Sequence, residues 1–111
     1  MSSERRSHPR FKVSVPVEIY PEGSETPVRG STSDLSLGGC YVESIFPFPV
    51  GTPLDLKLQL EDTLLVLGKA VTCDPQVGNG ISFDRMLPED RDHLRAFLES
   101  VVLQGAEAAN K

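Results

Sequence analysis

The chain has 111 residues, with 11 Lys and Arg against 16 Asp and Glu, a net charge of −5. This length corresponds to one domain with one modest core. There is no run of 18 or more apolar residues to cross a membrane as a helix, and the negative balance argues against broad binding to a polyanion, which needs a positive footprint.

Residues 1–10 read as a flexible arm: they are polar, Pro9 disfavours helix at His8, and no apolar period appears. The charged start has no apolar stretch of the kind a secretory signal carries. Arg5, Arg6, Arg10 and Lys12 against Glu4 leave residues 1–12 at +3 and the remainder at −8. A basic arm on an acidic body suits a small anion held locally better than a long one. Val13, Val15, Val17 and Ile19 alternate with polar residues and with Pro16, which predicts a half-buried strand with an edge or bulge at the proline. Pro21 to Thr26 reads as a turn, and residues 27–33 as a return strand with a weak pattern. Asp34 to Gly39 reads as a turn, and Cys40 to Ser44 as a short strand. Phe46-Pro47-Phe48-Pro49 is a loop with an apolar tip, expected to plug the barrel end or to form a docking patch.

Leu54, Leu56, Leu58 and Leu60 alternate with Asp55, Lys57 and Gln59, the clearest strand signal in the chain. Leu64 to Thr72 reads as a longer strand, Val77-Gly78-Asn79-Gly80-Ile81 as a hairpin turn, and Ile81 to Phe83 as the strand after it. The period then changes. Leu94, Phe97, Leu98, Val101 and Val102 form one helical face. Pro88 fits the first helical position, Glu89 and Asp90 suit the positive end of the dipole, and Gly105 is a natural stop. These elements predict a mainly β domain: a small closed or nearly closed antiparallel barrel over residues 11–87, with a helix over 88–104 covering an end or a face. Cys40 and Cys73 have no Cys-x-x-Cys spacing and read as small core residues. With His8 and His93 they show no metal-ligand spacing either, so no metal and no cofactor are expected.

Two segments carry the chemistry. Glu4-Arg5-Arg6-Ser7-His8-Pro9-Arg10 offers three guanidiniums, which match phosphate oxygens and stack on base faces. Asp34-Leu35-Ser36-Leu37-Gly38-Gly39 offers a carboxylate, a hydroxyl and two glycines. A carboxylate accepts from both N1–H and N2–H2 of guanine, and a glycine lets a ligand approach the backbone. Each segment has a plainer reading: a solubilising tail for the arm, ordinary turn residues for Asp34, Ser36 and the glycine pair.

Arg6-x-x-x-Arg10 followed by Asp34-x-Ser36-x-x-Gly39 resembles the paired signature of PilZ domains, bacterial receptors for cyclic di-GMP. The resemblance runs over about residues 4–103, through Gly51-Thr52-Pro53-Leu54, Gly78-Asn79-Gly80-Ile81-Ser82-Phe83 and the terminal helix. It implies a six-stranded antiparallel barrel with a C-terminal helix, a count that periodicity alone does not secure. It implies that Arg6 and Arg10 contact phosphates and guanine faces, with Arg5 joining them. Asp34 would take the guanine edge, Ser36 would bond the ligand or fix the turn, and Gly39 would admit the ligand to the backbone. Arg5, directly before the first motif, leans toward an intercalated nucleotide pair.

The leading expectation is therefore a stand-alone, cytoplasmic cyclic di-GMP receptor that is not an enzyme. It would relay the ligand to an unidentified effector protein as the arm becomes ordered. An adaptor of the same fold that binds no nucleotide is the alternative, with Phe46 to Phe48 as its docking point. A binder of RNA or single-stranded DNA is a third reading, disfavoured by the acidic body and the absence of Trp.

Overall fold

Alternating leucines build the wall of the molecule. A computed structural model describes residues 8–109, in the order β1 (Pro16–Pro21), β2 (Val28–Leu35), β3 (Gly39–Glu43), β4 (Pro53–Gln59), β5 (Thr63–Asp74), β6 (Gly78–Met86) and α1 (Pro88–Ala109). The six strands close into an antiparallel barrel in the order β1-β2-β3-β6-β5-β4, with β1 also pairing β4. Closure leaves no long sheet edge exposed.

Side chains at every second position fill the interior. Leu54, Leu56 and Leu58 of β4 are fully buried, as are Leu64 and Val66 of β5, Val17 of β1 and Cys40 of β3. Each buried aliphatic side chain contributes about 1.5–3 kcal/mol relative to exposure. Leu94 and Leu98, one turn apart on α1, are buried against this core, and Phe97 packs partly on it. The start of the helix is tied to the barrel, since Asp90 Oδ2 accepts from the Leu65 N–H at 3.4 Å.

The structure departs from the sequence expectations at Asp34, which belongs to β2 and not to the turn, and at four further places. The ladder of β1 begins at Pro16, not Val13, but Val13 and Val15 stay extended: the buried Thr32 hydroxyl donates to Val13 O at 2.7 Å and accepts from Val15 N at 3.0 Å. Pro16, which has no N–H, then takes the first strand position, where none is needed. The β5–β6 turn lies at Asp74 to Val77, closed by Val77 N–H to Asp74 O at 2.9 Å, with Gln76 at φ +64°. Asn79 and Gly80 are inside β6, because the Asn79 side chain is buried and bonds Phe48 N, Phe48 O and Thr72 O. The helix runs on to Ala109 instead of stopping at 104. A glycine inside a helix costs only about 1 kcal/mol relative to alanine, so Gly105 alone does not enforce a stop. Phe46 does not plug the barrel: it is 86% exposed, while Phe48 packs partly on the core.

Candidate functional site

The site lies where the N-terminal segment crosses the end of β2. Phe11 forms an isolated bridge with Leu35, Phe11 N–H to Leu35 O at 2.9 Å and Leu35 N–H to Phe11 O at 3.0 Å. Leu35 faces the core with no exposure. Across this antiparallel bridge Arg10 and Asp34 are diagonal neighbours, close enough for their side chains to meet. Asp34 is in the last turn of the ladder and not in the loop, after a register shift between Thr32 and Asp34. Such a bulge re-aims the side chain that follows it.

Arg10 Nη1 lies 3.6 Å from Asp34 Oδ2. That distance gives an ion pair without a good hydrogen bond. The other carboxylate oxygen, Oδ1, is shut off from solvent and accepts no hydrogen bond from any described residue. A buried acceptor without a donor costs roughly 1–3 kcal/mol, so an unfilled carboxylate oxygen invites one. Beneath it the Cys40 thiol is pushed up to about 12, by burial first and by the Asp34 charge second, with Arg10 opposing. Cys40 is thus a protonated core thiol and no nucleophile.

Ser36 is buried, and its hydroxyl is used within the loop. Ser36 Oγ accepts from Gly38 N at 3.0 Å and Gly39 N at 3.1 Å, and donates to Gly39 O at 3.3 Å. Of the two roles open to it, fixing the turn is the one this geometry serves. Gly39 meets a different neighbour from the one its motif suggests. A Cβ there would sit 2.3 Å from Ile81 O, so its missing side chain admits β6. At Gly38 a Cβ would come within 3.0 Å of His8 Cδ2, so the imidazole rests on this glycine. His8, Pro9 and Phe11 then line a recess of about 160 Å³ with Leu37, Leu98 and Val102, joining the N-terminal segment to α1. Arg5 and Arg6 lie outside the described residues.

Two features were not expected. Tyr41 is the cross-strand partner of Asp34, and its hydroxyl donates to Asp74 Oδ2 at 2.6 Å. A groove of about 670 Å³ lies elsewhere, between α1 and the β4–β5 turn. It is lined by Glu61, Asp62 and His93 with no arginine or lysine, which is no setting for a phosphate. Among the described residues, no group of three or more His, Cys, Asp or Glu is placed to hold a metal ion. No helix is long and apolar enough to cross a membrane among the described residues.

Comparison with known proteins gives a consistent result. The family model of the PilZ domain matches residues 4–100. The fold is similar to that of the PilZ domain of CeSA from a cellulose-synthesizing bacterium, with a TM-score of 0.67 and 20% identity over 84% of this chain and 97% of that one. It is also similar to the Bacillus subtilis inhibitor of motility MotI/DgrA, with a TM-score of 0.73 and 21% identity. The match covers 93% of this chain and 52% of that one, about half its length. No curated protein matches the sequence.

Proposed function

The chain belongs to the PilZ domain family, a family of cyclic di-GMP receptors, and from that premise we propose that it binds cyclic di-GMP at the crossing of Arg10 and Asp34. The observation that carries this reading is the unfilled Asp34 Oδ1 beside the Arg10 guanidinium. The N1–H and N2–H2 of a guanine supply the two donors that a carboxylate can accept side by side. Ligand entry replaces the long 3.6 Å contact, and Arg10 turns to a phosphate, where its fork makes charge-assisted bonds. Ser36 holds the loop that presents Asp34. Arg5 and Arg6 are assigned to the ligand by the motif alone.

PilZ domains act as binding and adaptor modules, and this chain is read as a cytoplasmic receptor without catalytic activity or cofactor. Its output is an effector protein that senses the ligand-bound arm. Calorimetric titration with cyclic di-GMP, with GTP and cyclic di-AMP as controls, tests the reading. Saturable heat with cyclic di-GMP alone is expected, and a stoichiometry near one or two decides the role of Arg5. Absence of heat at high micromolar ligand overturns it. One observation favours the second reading, a nucleotide-independent adaptor: Ile45, Phe46, Val50 and Val77 are all more than half exposed around the β3–β4 loop and the β5–β6 turn.

A further inference from the structure

The groove between α1 and the β4–β5 turn has an apolar floor. Its lining runs from the buried Val15 and Leu64 through the half-buried Leu60 and Phe97 to the exposed Pro16 and Ala96. His93, Ala96, Phe97 and Ser100 face it at i, i+3, i+4 and i+7 of the helix. Leu103 follows Ser100 one turn later on the same side and is 67% exposed. No described residue of α1 beyond Leu98 is buried. The apolar line therefore runs out of the groove and along the helix with nothing of this chain over it. An apolar stretch of this kind with a polar rim marks an interaction surface.

The rim is of one sign. Glu61 and Asp62 line the groove from the β4–β5 turn, and both are exposed. Glu89, also exposed, stands one turn before His93 on the same helical face. Asp62 Oδ2 lies 3.8 Å from His93 Nδ1, too far for a hydrogen bond. Glu61 and Glu89 form no ion pair among the described residues. The arginines of the first helical turns face the other way. Arg95 lines the recess beside His8 and pairs with Asp92 at 3.0 Å, and Arg91 lies one turn before it on that face.

We infer that this groove is a docking site for a basic, amphipathic segment of a partner protein. Its apolar side chains enter over Leu60 and Phe97, and its lysines or arginines meet Glu61, Asp62 and Glu89. Charge decides the occupant. A second copy seated by a two-fold axis would set the acidic rim against itself, because such a contact pairs a patch with its equal. Like charges brought together in this way oppose binding. A basic segment with an apolar face complements both parts: burial supplies affinity, and the rim supplies orientation and on-rate. The docking site shares no lining residue with the Arg10–Asp34 crossing and needs no nucleotide.

Fluorescence anisotropy on the whole chain tests this with a labelled amphipathic peptide, leucines on one face and lysines on the other, and a counterpart with glutamates in place of the lysines. Saturable binding of the lysine peptide alone is expected. Exposed ion pairs are individually weak, so reversing both turn carboxylates, Glu61→Lys with Asp62→Lys, weakens binding about tenfold. Ala96→Lys sits at an exposed helical position, changes helix propensity little and lays a like-charged chain across the floor, which also weakens binding about tenfold. Glu22→Lys with Glu25→Lys, exposed in the β1–β2 turn at the other end of β1, controls for the acidic body and stays within about twofold of the parent. Equal weakening by that control pair reduces the binding to net charge and overturns the inference. Binding of both peptides, or of neither, overturns it as well. Dimerisation in sedimentation that Ala96→Lys abolishes gives the groove to a second copy and also overturns it. Failure of the parent chain to bind cyclic di-GMP overturns the receptor reading and leaves the docking site standing.

Discussion

Strand β4 and the corner between β2 and β3 are built on opposite terms. In β4, Leu54, Leu56 and Leu58 face the core and are fully buried, and outward Lys57 stands 5.1 Å over the Tyr20 ring. In the corner, Thr32 and Ser36 are buried polar residues held by hydrogen bonds, Thr32 to the distant Val13 and Val15 and Ser36 within its own loop, and Asp34 Oδ1 has no donor among the described residues. The difference teaches where this small domain keeps its stability and where it keeps its chemistry. Stability comes from a closed wall of aliphatic side chains. The corner gives up local satisfaction and keeps a carboxylate oxygen for something else to fill.

Substitutions can break that comparison or sharpen it. Leu56→Ala is the largest: it empties a fully buried site and lowers stability by about 2–5 kcal/mol in urea unfolding. The fraction that stays folded should bind ligand with the parent affinity. Asp34→Ala is its mirror image. It removes two charge-assisted acceptor bonds, each worth roughly 1.5–3 kcal/mol, and weakens cyclic di-GMP binding by a hundredfold or more in calorimetry. Its stability should not fall and should rise by about 1 kcal/mol, because relief of the buried, donor-less Oδ1 outweighs loss of the long, partly exposed pair with Arg10.

Arg10→Ala removes one guanidinium and weakens binding by about tenfold to a hundredfold, with little change in the melt, since its pair with Asp34 is long and partly exposed. Gly39→Ala sharpens the boundary between the regions. Its Cβ meets the Ile81 carbonyl, so it should destabilise by about 1–3 kcal/mol, and affinity should fall only as far as the fold does.

The smallest effect is a pH dependence. The Cys40 thiol rises from 9.0 to about 12 on folding, so between those values the unfolded chain loses a proton that the folded chain keeps. Stability contributed by the protonated thiol is whole below pH 9 and falls as pH rises toward 12. Cys40→Ala should make that decline shallower in urea midpoints taken at pH 8 and pH 10.5.

The same contrast explains what was legible. The leucine period of β4 is read directly, because burial alone sets it. The period of β1 and the helical face at Leu94 and Leu98 are read in the same way, and the closed barrel with its terminal helix is the fold observed. Strand β2 is faint because its inward residues include Thr32, whose partners Val13 and Val15 are 17 to 19 positions away. Asn79-Gly80 looks like a turn because the bonds that hold Asn79 inside β6 come from Phe48 and Thr72, which no local window contains. At the site, Arg10 and Asp34 could be paired from their motifs, and the Phe11–Leu35 bridge supplies the contact. The bond from Tyr41 to Asp74, 33 positions away, could not be read, because it depends on the registers of β3, β6 and β5.

The most direct test of the account is an amide NMR titration of the ¹⁵N-labelled chain with cyclic di-GMP. The account predicts shifts concentrated at Phe11, Leu35, Gly38, Gly39 and Tyr41, with the amides of Leu56 and Leu58 unmoved. Shifts confined to the groove between α1 and the β4–β5 turn, or no shifts at all, would contradict it.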